Sequence, residues 1–349
     1  MNSEKTLKFG LVGAGRISDS YIQAFRGMDD ARLVAIADVS ADAALAAADK
    51  TGCDAYASHT EMLAAQSLDA VIICTPPAFH REQAVFFLEN KIHVLCEKPL
   101  SIDAVSARLM QAAARRNGVR LTMASKFRYV EDVIRARNII RSGILGDILL
   151  AENSFASRVD MSERWNSRAD VSGGGVLIDN GTHSVDIMRY LLGPLTHVQA
   201  IEGGRTPGFQ VEETMQLFVR AESGAMGSID LSWRLQKEVD YFINVYGTLG
   251  TVSVGWKHSR YRQAASRDWI VFGNGYDKVQ AFRSQIENFR AAIRGEEALL
   301  ITAADALASV EVIETAYATM RAGAWAPICP RPLESDSETA APFADRLIA

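Results

Sequence analysis

Cysteine is scarce in this chain, and no two cysteines have the spacing of a metal-binding or redox pair. The four cysteines, Cys53, Cys74, Cys96 and Cys329, lie far apart among 349 residues, and none belongs to a C-x-x-C motif. Cys74 and Cys96 fall in or beside apolar runs typical of strands. The pattern therefore favours buried, reduced thiols over a disulfide framework or a zinc site.

Long apolar runs and an excess of positive charge are also absent. No stretch approaches the roughly 18 apolar residues of a membrane span, and the first ten residues lack the apolar segment of a secretion signal. With a net charge of −5 at pH 7, the chain has no basic stripe for nucleic acid or an anionic membrane. We therefore expect a cytoplasmic protein whose partners are small molecules and other copies of itself.

The first third of the chain alternates between strand-like and helix-like segments. Strands are predicted near 7–12, 32–37, 69–74, 92–95 and 120–124, with helices at 41–50, 59–66, 79–90 and 103–117. Such alternation predicts an α/β domain with a doubly wound parallel sheet that is covered on both faces.

Beyond about residue 146 the pattern changes to successive extended runs joined by tight turns. This predicts a second, α+β domain with a large, open, mostly antiparallel sheet, followed by helices at 278–293 and 303–321. Apolar side chains lie on both faces of the run 239–246, so one face is expected to pack on helices and the other on a second subunit. The predicted domains are 1–125 and 126–330, and 331–349 is a C-terminal tail.

A glycine-rich turn follows the first predicted strand. Glycines there allow a tight turn and a close approach of backbone to pyrophosphate, while the free N–H groups and dipole of the next helix attract negative charge. Ser18 takes the third position of the motif, where Gly or Ala is usual, and its small side chain still allows close packing. An ordinary turn is the alternative. The residues expected to contact a dinucleotide are Gly13, Ala14, Gly15, Arg16 and Ile17.

Asp38 ends the second predicted strand, 25 positions after Gly13. An acidic side chain near this offset binds the adenosine ribose hydroxyls and repels a 2′-phosphate, so NAD is favoured over NADP. Val39 and Ser40 follow, with no arginine to accept a 2′-phosphate, and Ser40 is included among the cofactor contacts. The alternative is that Asp38 caps the helix predicted at 41–50.

Two later segments end strands at the sheet edge where open α/β folds bind ligands. In the first, Thr75 and Pro76 form an extended turn, and His80 either contacts the cofactor or caps that turn. In the second, Glu97 and Lys98 precede a proline. An ammonium at this edge can stabilise a developing alkoxide or accept a proton, although a solvated surface lysine is the common alternative.

Three glycines at 173–175 precede a helical pattern that carries two carboxylates and a histidine. Asp179 and His183 are four positions apart, and Asp186 lies three beyond His183, so the three share a helix face. A carboxylate beside an imidazole orients it and holds its proton, as general acid–base catalysis requires. The open alternatives are a satisfied core histidine, Asp179 as a helix cap, and a metal site, for which no second His or Cys cluster is present.

In combination these motifs resemble the Gfo/Idh/MocA oxidoreductases, the family of glucose-fructose oxidoreductase and inositol dehydrogenase, along nearly the whole chain. The resemblance implies an N-terminal Rossmann domain that binds NAD(P) and a C-terminal domain that forms the substrate site and often the dimer or tetramer interface. Glu97-Lys98-Pro99 is similar to the family's E-K-P motif, whose lysine serves catalysis. Asp179 and His183 are similar to its D-x-x-x-H pair, in which the histidine transfers a proton.

The resemblance also implies roles for residues outside those two motifs. Thr75, Pro76 and His80 match the family's T-P-x-x-x-H turn near the cofactor. Trp165 and Arg168 resemble its W-and-R segment near nicotinamide or substrate, with the difference that Asn166, not arginine, follows the tryptophan. Lys126 and Arg128 follow the strand at 120–124, where members often place polar residues that face the substrate.

The sequence thus predicts an NAD-dependent dehydrogenase that moves hydride between nicotinamide and a secondary alcohol carbon of a sugar, sugar nucleotide or polyol. His183 would transfer the hydroxyl proton, Lys98 would stabilise the alkoxide, and Asp179 would orient His183. The hypothesis requires Lys98 and His183 to converge beside the nicotinamide. The predicted substrate contacts are Lys98, Lys126, Arg128, Asp179, His183 and Asp186.

No metal is expected in this site. A homodimer or homotetramer is expected to form through the C-terminal sheet. Two other functions stay open: an NAD-dependent glycoside hydrolase that oxidises a sugar carbon transiently, and a non-enzymatic NAD-binding regulator. The complete set of Lys98, Asp179 and His183 argues against the regulator, because a protein that only binds has no need of an acid–base group.

Overall fold

The chain forms two compact units in a computed structural model, which describes residues 6–328. Of the described residues, one unit contains 6–101, Val105–Lys126 and Lys278–Ala306. The other contains Ile102–Ala104, Phe127–Asp277 and 307–328. The predicted tail, 331–349, and Cys329 lie outside the described residues.

Six parallel strands form the sheet of the first unit, in the order β3-β2-β1-β4-β5-β6. The strands are β1 Leu7–Val12, β2 Ala31–Ala37, β3 Asp54–Tyr56, β4 Ala70–Ile73, β5 His93–Glu97 and β6 Leu121–Ala124. The helices are α1 Ser18–Phe25, α2 Ala41–Asp49, α3 His59–Ala65, α4 His80–Glu89 and α5 Ala104–Asn117. The order reverses between β1 and β4, which is the switch point of a doubly wound Rossmann sheet. The predicted α/β class is confirmed, and β3 is an additional strand of three residues.

Nine strands form the sheet of the second unit, in the order β14-β13-β12-β11-β7-β10-β9-β8-β15. The strands are β7 Ile148–Ala156, β8 Leu195–Glu202, β9 Thr214–Ala221, β10 Met226–Ser232, β11 Tyr241–Gly247, β12 Gly250–Gly255, β13 Ser259–Gln263, β14 Ile270–Gly273 and β15 Ala326–Pro327. Among the described strands of this sheet, only the β7–β10 pair is parallel, so the predicted mostly antiparallel sheet is confirmed. Strands β13, β14 and β15 were not predicted: β13 lies in the segment 257–269, which is rich in charged residues, and β14 and β15 are only 4 and 2 residues long.

Helices cover one face of this second sheet. α6 Glu131–Arg141 packs on β12 and β14, α8 Val176–Leu192 packs on β7, β9 and β10, and the short α7 Ala169–Ser172 precedes α8. Along β7, Ala151, Asn153 and Phe155 are buried, whereas Leu150 and Glu152 are partly exposed. This alternation is typical of a sheet with one packed face and one open face.

Two further helices follow the second sheet, α9 Lys278–Arg294 and α10 Ala303–Ala322. The sequence-based boundary assigned 278–306 to the second domain, whereas the structure packs this segment within the first unit. The physical reason is the apolar face of α9, where Phe282, Ile286 and Phe289 share one side at helical spacing and are buried in the core around β1 and α1. The Phe289 ring lies 6.2 Å from that of Phe9. None of the described helices is both long and apolar enough to cross a membrane.

We expect Phe289→Ala to lower the free energy of unfolding by about 3–5 kcal/mol, because it empties a fully buried site of an aromatic ring. Guanidinium denaturation provides the measurement. Val279→Ala on the same helix is the control, since Val279 is 41% exposed. Equal midpoints for the two variants would show that α9 does not belong to this core.

Candidate active site

The glycine-rich turn joins β1 to α1 at the switch point of the first sheet. Gly13 is buried with φ +95°, and a Cβ there would lie 2.8 Å from the backbone of Cys74 and Thr75, so the fold itself requires glycine. At the exposed Gly15, an added Cβ would meet no atom of the described residues within 4 Å. The second glycine therefore has no intramolecular reason to lack a side chain, and the open space fits a pyrophosphate. Arg16 is exposed beside it, and Ile17 forms the N-cap of α1.

Asp38 connects the end of β2 to the glycine turn. Its Oδ2 accepts a hydrogen bond from the Ala14 N–H at 2.7 Å, and its Oδ1 accepts one from the Ser40 N–H at 2.8 Å. The cap of α2 is Ser40, whose hydroxyl accepts from the Ala43 N–H, so Asp38 as the helix cap is excluded. A carboxylate has lone pairs for further donors, and the predicted bond from Asp38 to ribose stays a prediction.

His80 lies in the interior of the first unit with no exposed surface. Its Nε2 is 2.8 Å from the Thr75 carbonyl oxygen, and its Nδ1 is 2.9 Å from the Pro99 carbonyl oxygen. Burial lowers the pKa of His80, whereas its hydrogen bonds to the backbone of Thr75 and Pro99 oppose that lowering. The ring thus joins the turn after β4 to the turn after β5, and its contact with the cofactor stays a prediction. In the segment after β4, Pro76 precedes a short 3-10 helix at Pro77–Phe79.

Glu97 is a buried carboxylate at the end of β5, directly before Lys98. Its Oε1 accepts a hydrogen bond from the Tyr21 hydroxyl at 2.8 Å, and Gln285 donates to that hydroxyl at 3.2 Å. The backbone N–H of Lys98 donates to its Oε2 at 3.1 Å. Burial raises the pKa of Glu97, whereas the Lys98 and Lys126 ammonium groups oppose that rise. Two cations thus lie around one buried acid.

The surroundings of Glu97 include residues that the sequence analysis missed. Tyr21 follows the glycine turn on α1, and Gln285 lies on α9, the helix that was assigned to the other domain. Lys126, which the sequence analysis named, lies with its ammonium 5.6 Å from the ring centre of Phe282, also on α9. No local motif marks Tyr21 or Gln285, because each depends on contacts between segments that are distant in the sequence.

The helix α8 in the second unit carries Asp179 and His183 one turn apart. His183 is 7% exposed, and its ring meets that of Phe127 edge-on at 5.1 Å. Asp179 is partly exposed on the same helix face. Phe127 belongs to a cluster of aromatic side chains whose rings contact one another, namely Phe127, Phe155, Phe242, Trp256 and Tyr276. The histidine side chain is therefore held by packing on one side.

Arg128 and Asp186 form a buried ion pair in the second unit. Two guanidinium nitrogens of Arg128 lie 2.9 and 2.7 Å from the two carboxylate oxygens of Asp186. Both side chains are at most 4% exposed. Their contact with the substrate stays a prediction; the structure shows a buried bidentate pair. Its effect is to tie α8 to the segment that follows β6.

The remaining predicted residues lie at the surface. Trp165 is 39% exposed in a 3-10 turn, and Arg168 pairs with Asp170 at 3.1 Å in an exposed ion pair. Their roles near nicotinamide or substrate stay predictions, as does the convergence of Lys98 with His183. Within residues 6–328, no three His, Cys, Asp or Glu side chains are grouped to hold a metal ion.

A doubly wound sheet with an unfilled glycine turn, followed by an α+β unit with an Asp–His helix, defines the class of NAD-binding oxidoreductases. Residues 7–125 match the model of an oxidoreductase family with an NAD-binding Rossmann fold, and residues 133–253 match the GFO/IDH/MocA C-terminal domain. The chain belongs to the Gfo/Idh/MocA oxidoreductase family. The predicted family, oxidoreductase function and NAD cofactor are confirmed.

Individual relatives match most of the chain. The rhizopine catabolism protein MocA of Rhizobium meliloti is 30% identical over 314 residues, which is 88% of this chain and 93% of the relative. The inositol 2-dehydrogenase of Rhizobium meliloti (strain 1021) is 28% identical over 331 residues, 89% of this chain and 96% of the relative. The WlbA dehydrogenase from Bordetella pertussis, solved with NADH and UDP-GlcNAcA, has a TM-score of 0.83 and 25% identity, covering 96% of this chain and 100% of that one.

We expect Gly15→Ala to weaken NAD binding by about tenfold or more, equal to about 1.4 kcal/mol, while leaving the melting temperature unchanged. The added methyl group meets nothing in the protein but occupies the space predicted for pyrophosphate. Calorimetric titration of NAD measures the affinity. Gly13→Ala is the contrasting variant, and it should destabilise the fold because its φ is +95°. Wild-type affinity in Gly15→Ala would remove this turn from the cofactor site.

We expect Glu97→Gln to gain stability relative to the wild type as pH rises above the ordinary pKa of glutamate. Because burial raises the pKa of Glu97, the folded protein holds this proton at pH values where the unfolded chain has lost it. Wild-type stability therefore falls as pH rises through this window, and the variant lacks that loss. Urea denaturation at several pH values between about 4.5 and 7 measures the difference. A difference that stays constant with pH would contradict the raised pKa.

Proposed function

We propose that this chain is an NAD-dependent dehydrogenase that oxidises a secondary alcohol of a sugar, sugar nucleotide or polyol. His183 transfers the hydroxyl proton, Lys98 stabilises the alkoxide-like oxygen, and Asp179 orients His183. The observation that carries the proposal is the Asp179–His183 pair on α8, with a nearly buried imidazole packed against Phe127 in a chain of an NAD-binding family.

The environment of His183 supports proton transfer. A general base must keep one ring geometry while a proton moves, and the edge-on contact with Phe127 at 5.1 Å restricts rotation of the imidazole. The remaining 7% exposure leaves part of the ring accessible. A carboxylate one helical turn away, Asp179, can stabilise the protonated ring.

The surroundings of Lys98 support a role in stabilising negative charge. The turn that carries Lys98 is held by Glu97 on one side and by the bond between His80 and Pro99 on the other. An ammonium held in place needs no reorganisation when charge develops on a reacting oxygen. When bound, the nicotinamide of NAD supplies the hydride chemistry, and the protein supplies position and charge.

The relatives support the substrate class. Inositol 2-dehydrogenase is named for a polyol, and WlbA was solved with a nucleotide sugar. Both offer secondary alcohols on a ring. We propose the same substrate class for this chain and specify neither the carbon that is oxidised nor the ring that carries it.

Two further observations support our proposals for assembly and location. The partly open face of the nine-stranded sheet supports a homodimer or homotetramer through the second unit. Cys53, Cys74 and Cys96 are free thiols, which supports a reducing, cytoplasmic environment.

We expect His183→Ala to lower kcat by about 10² to 10⁴, the usual contribution of a positioned acid–base group. NADH absorbance is followed against a panel of polyols, aldoses and nucleotide sugars. NAD affinity should stay at the wild-type value, since the glycine turn is untouched. His197→Ala, at an exposed position on β8, is the control.

Three results would contradict the proposal. Equal kcat in wild type and His183→Ala would remove His183 from proton transfer. Release of an aglycone without net NADH would indicate an NAD-dependent glycoside hydrolase. Tight NAD binding with no turnover of any substrate in the panel would indicate a regulator.

A further inference from the structure

We propose that Glu212 and Tyr317 are positioning residues of this enzyme, because they hold the start of the helix that carries Asp179 and His183. The inference rests on the proposed function for its effect on rate. Neither residue belongs to a motif of the sequence analysis. Neither needs to touch substrate or cofactor for the argument to hold.

Glu212 caps the start of α8, although it lies in a later part of the chain, just before β9. Its Oε1 accepts hydrogen bonds from the N–H groups of Gly175 at 2.9 Å and Leu177 at 3.0 Å. Its backbone carbonyl accepts from the N–H of Val176 at 2.9 Å. Three successive N–H groups at the helix start are thus satisfied by one residue. The residue at the N-cap position is Gly175, which has no side chain that could accept hydrogen bonds from these N–H groups.

Tyr317 on α10 fixes Glu212 in turn. Its hydroxyl donates to the same Oε1 at 2.8 Å. Burial and the neighbouring charge of Glu212 raise the pKa of Tyr317, so the hydroxyl keeps its proton and remains a donor. Glu212 is 3% exposed, so solvent is largely excluded from these bonds. The helix start is therefore held by two segments that lie 105 positions apart in the sequence.

This arrangement explains the glycine run before α8. A Cβ at Gly175 would overlap the backbone of Glu212, and a Cβ at Gly174 would overlap the hydroxyl of Tyr317. Both glycines are required by the close approach of these two residues. Gly174 and Gly175 thus help to position α8. Their purpose differs from that of the turn at Gly13 and Gly15.

The consequence for chemistry is geometric. Asp179 lies in the first turn of α8, and its N–H bonds the carbonyl of Gly175, so its position depends directly on the capped segment. His183 lies one turn further along the same helix. A displacement of about 1 Å at a reacting group can cost about 10²-fold in rate, so the cap controls turnover without entering the reaction.

The test compares Glu212→Ala, Glu212→Gln and Tyr317→Phe with Glu213→Gln as a matched control. Glu213 is also buried, but its carboxylate accepts from the N–H of Thr206 and not from α8. The first readout needs no activity: the NMR signals of the His183 ring, assigned by their loss in His183→Ala among the six histidines of the chain. The second is kcat and KM for any substrate found by NADH absorbance, together with NAD affinity.

We expect the His183 signals to shift in Glu212→Ala and Tyr317→Phe and to stay in place in Glu213→Gln. For Glu212→Ala, kcat should fall by about 10- to 100-fold, with KM and NAD affinity within about threefold of wild type. Glu212→Gln keeps an acceptor oxygen for the helix N–H groups, so it should recover most of the rate. If Glu212→Ala does not fold, Tyr317→Phe and Glu212→Gln still report on the same bonds.

Two outcomes would overturn the inference. Unchanged His183 signals and unchanged kcat in Tyr317→Phe, and in Glu212→Ala where that variant folds, would show that the cap does not position the ring. Equal shifts in Glu213→Gln would show a general loss of packing and not a specific cap. If no substrate is turned over by the wild type, the proposed function fails, yet the NMR comparison still decides the positioning role.

Discussion

Burying a carboxylate is costly unless donors and cations surround it, and each unit of this chain places one beside the residues predicted to do the chemistry. In the first unit, Glu97 receives bonds from Tyr21 and from the backbone of Lys98. In the second unit, the Glu212 carboxylate receives two bonds from the start of α8 and one from the Tyr317 hydroxyl. Since each acid is stable only with these partners in place, satisfying it also fixes the backbone that carries Lys98 or the Asp179–His183 pair.

Glycine has three distinct purposes in the same molecule. Gly13 is needed for a left-handed turn against the β4 segment, and Gly15 leaves space that no described residue fills. Gly175 admits the backbone of Glu212. The first and third serve the fold, whereas the second is explained only by a ligand. What a missing Cβ would meet therefore separates a structural glycine from a binding one, which a motif by itself cannot do.

Three buried polar side chains at predicted site positions make hydrogen bonds or ion pairs within the protein. His80, Arg128 and Asp186 match motifs or spacings associated with ligands, but each is buried and bonded within the protein. His80 joins two turns at the sheet edge, and the Arg128–Asp186 pair ties α8 to the segment after β6. These contacts hold elements of the fold in place, and a direct contact of the three residues with a ligand stays a prediction.

The sequence by itself determined the α/β class of the first unit, the mostly antiparallel sheet of the second, the family and the NAD cofactor. Apolar periodicity and turn residues are local signals, and the glycine turn and Asp38 lie within one β-α-β segment. It did not determine that α9 packs on β1 and α1, that Gln285 reaches Tyr21, or that Glu212 caps α8. Only the tertiary structure decided these, because a buried face or a buried acid finds its partners among segments far away in the chain, and no local pattern encodes which ones.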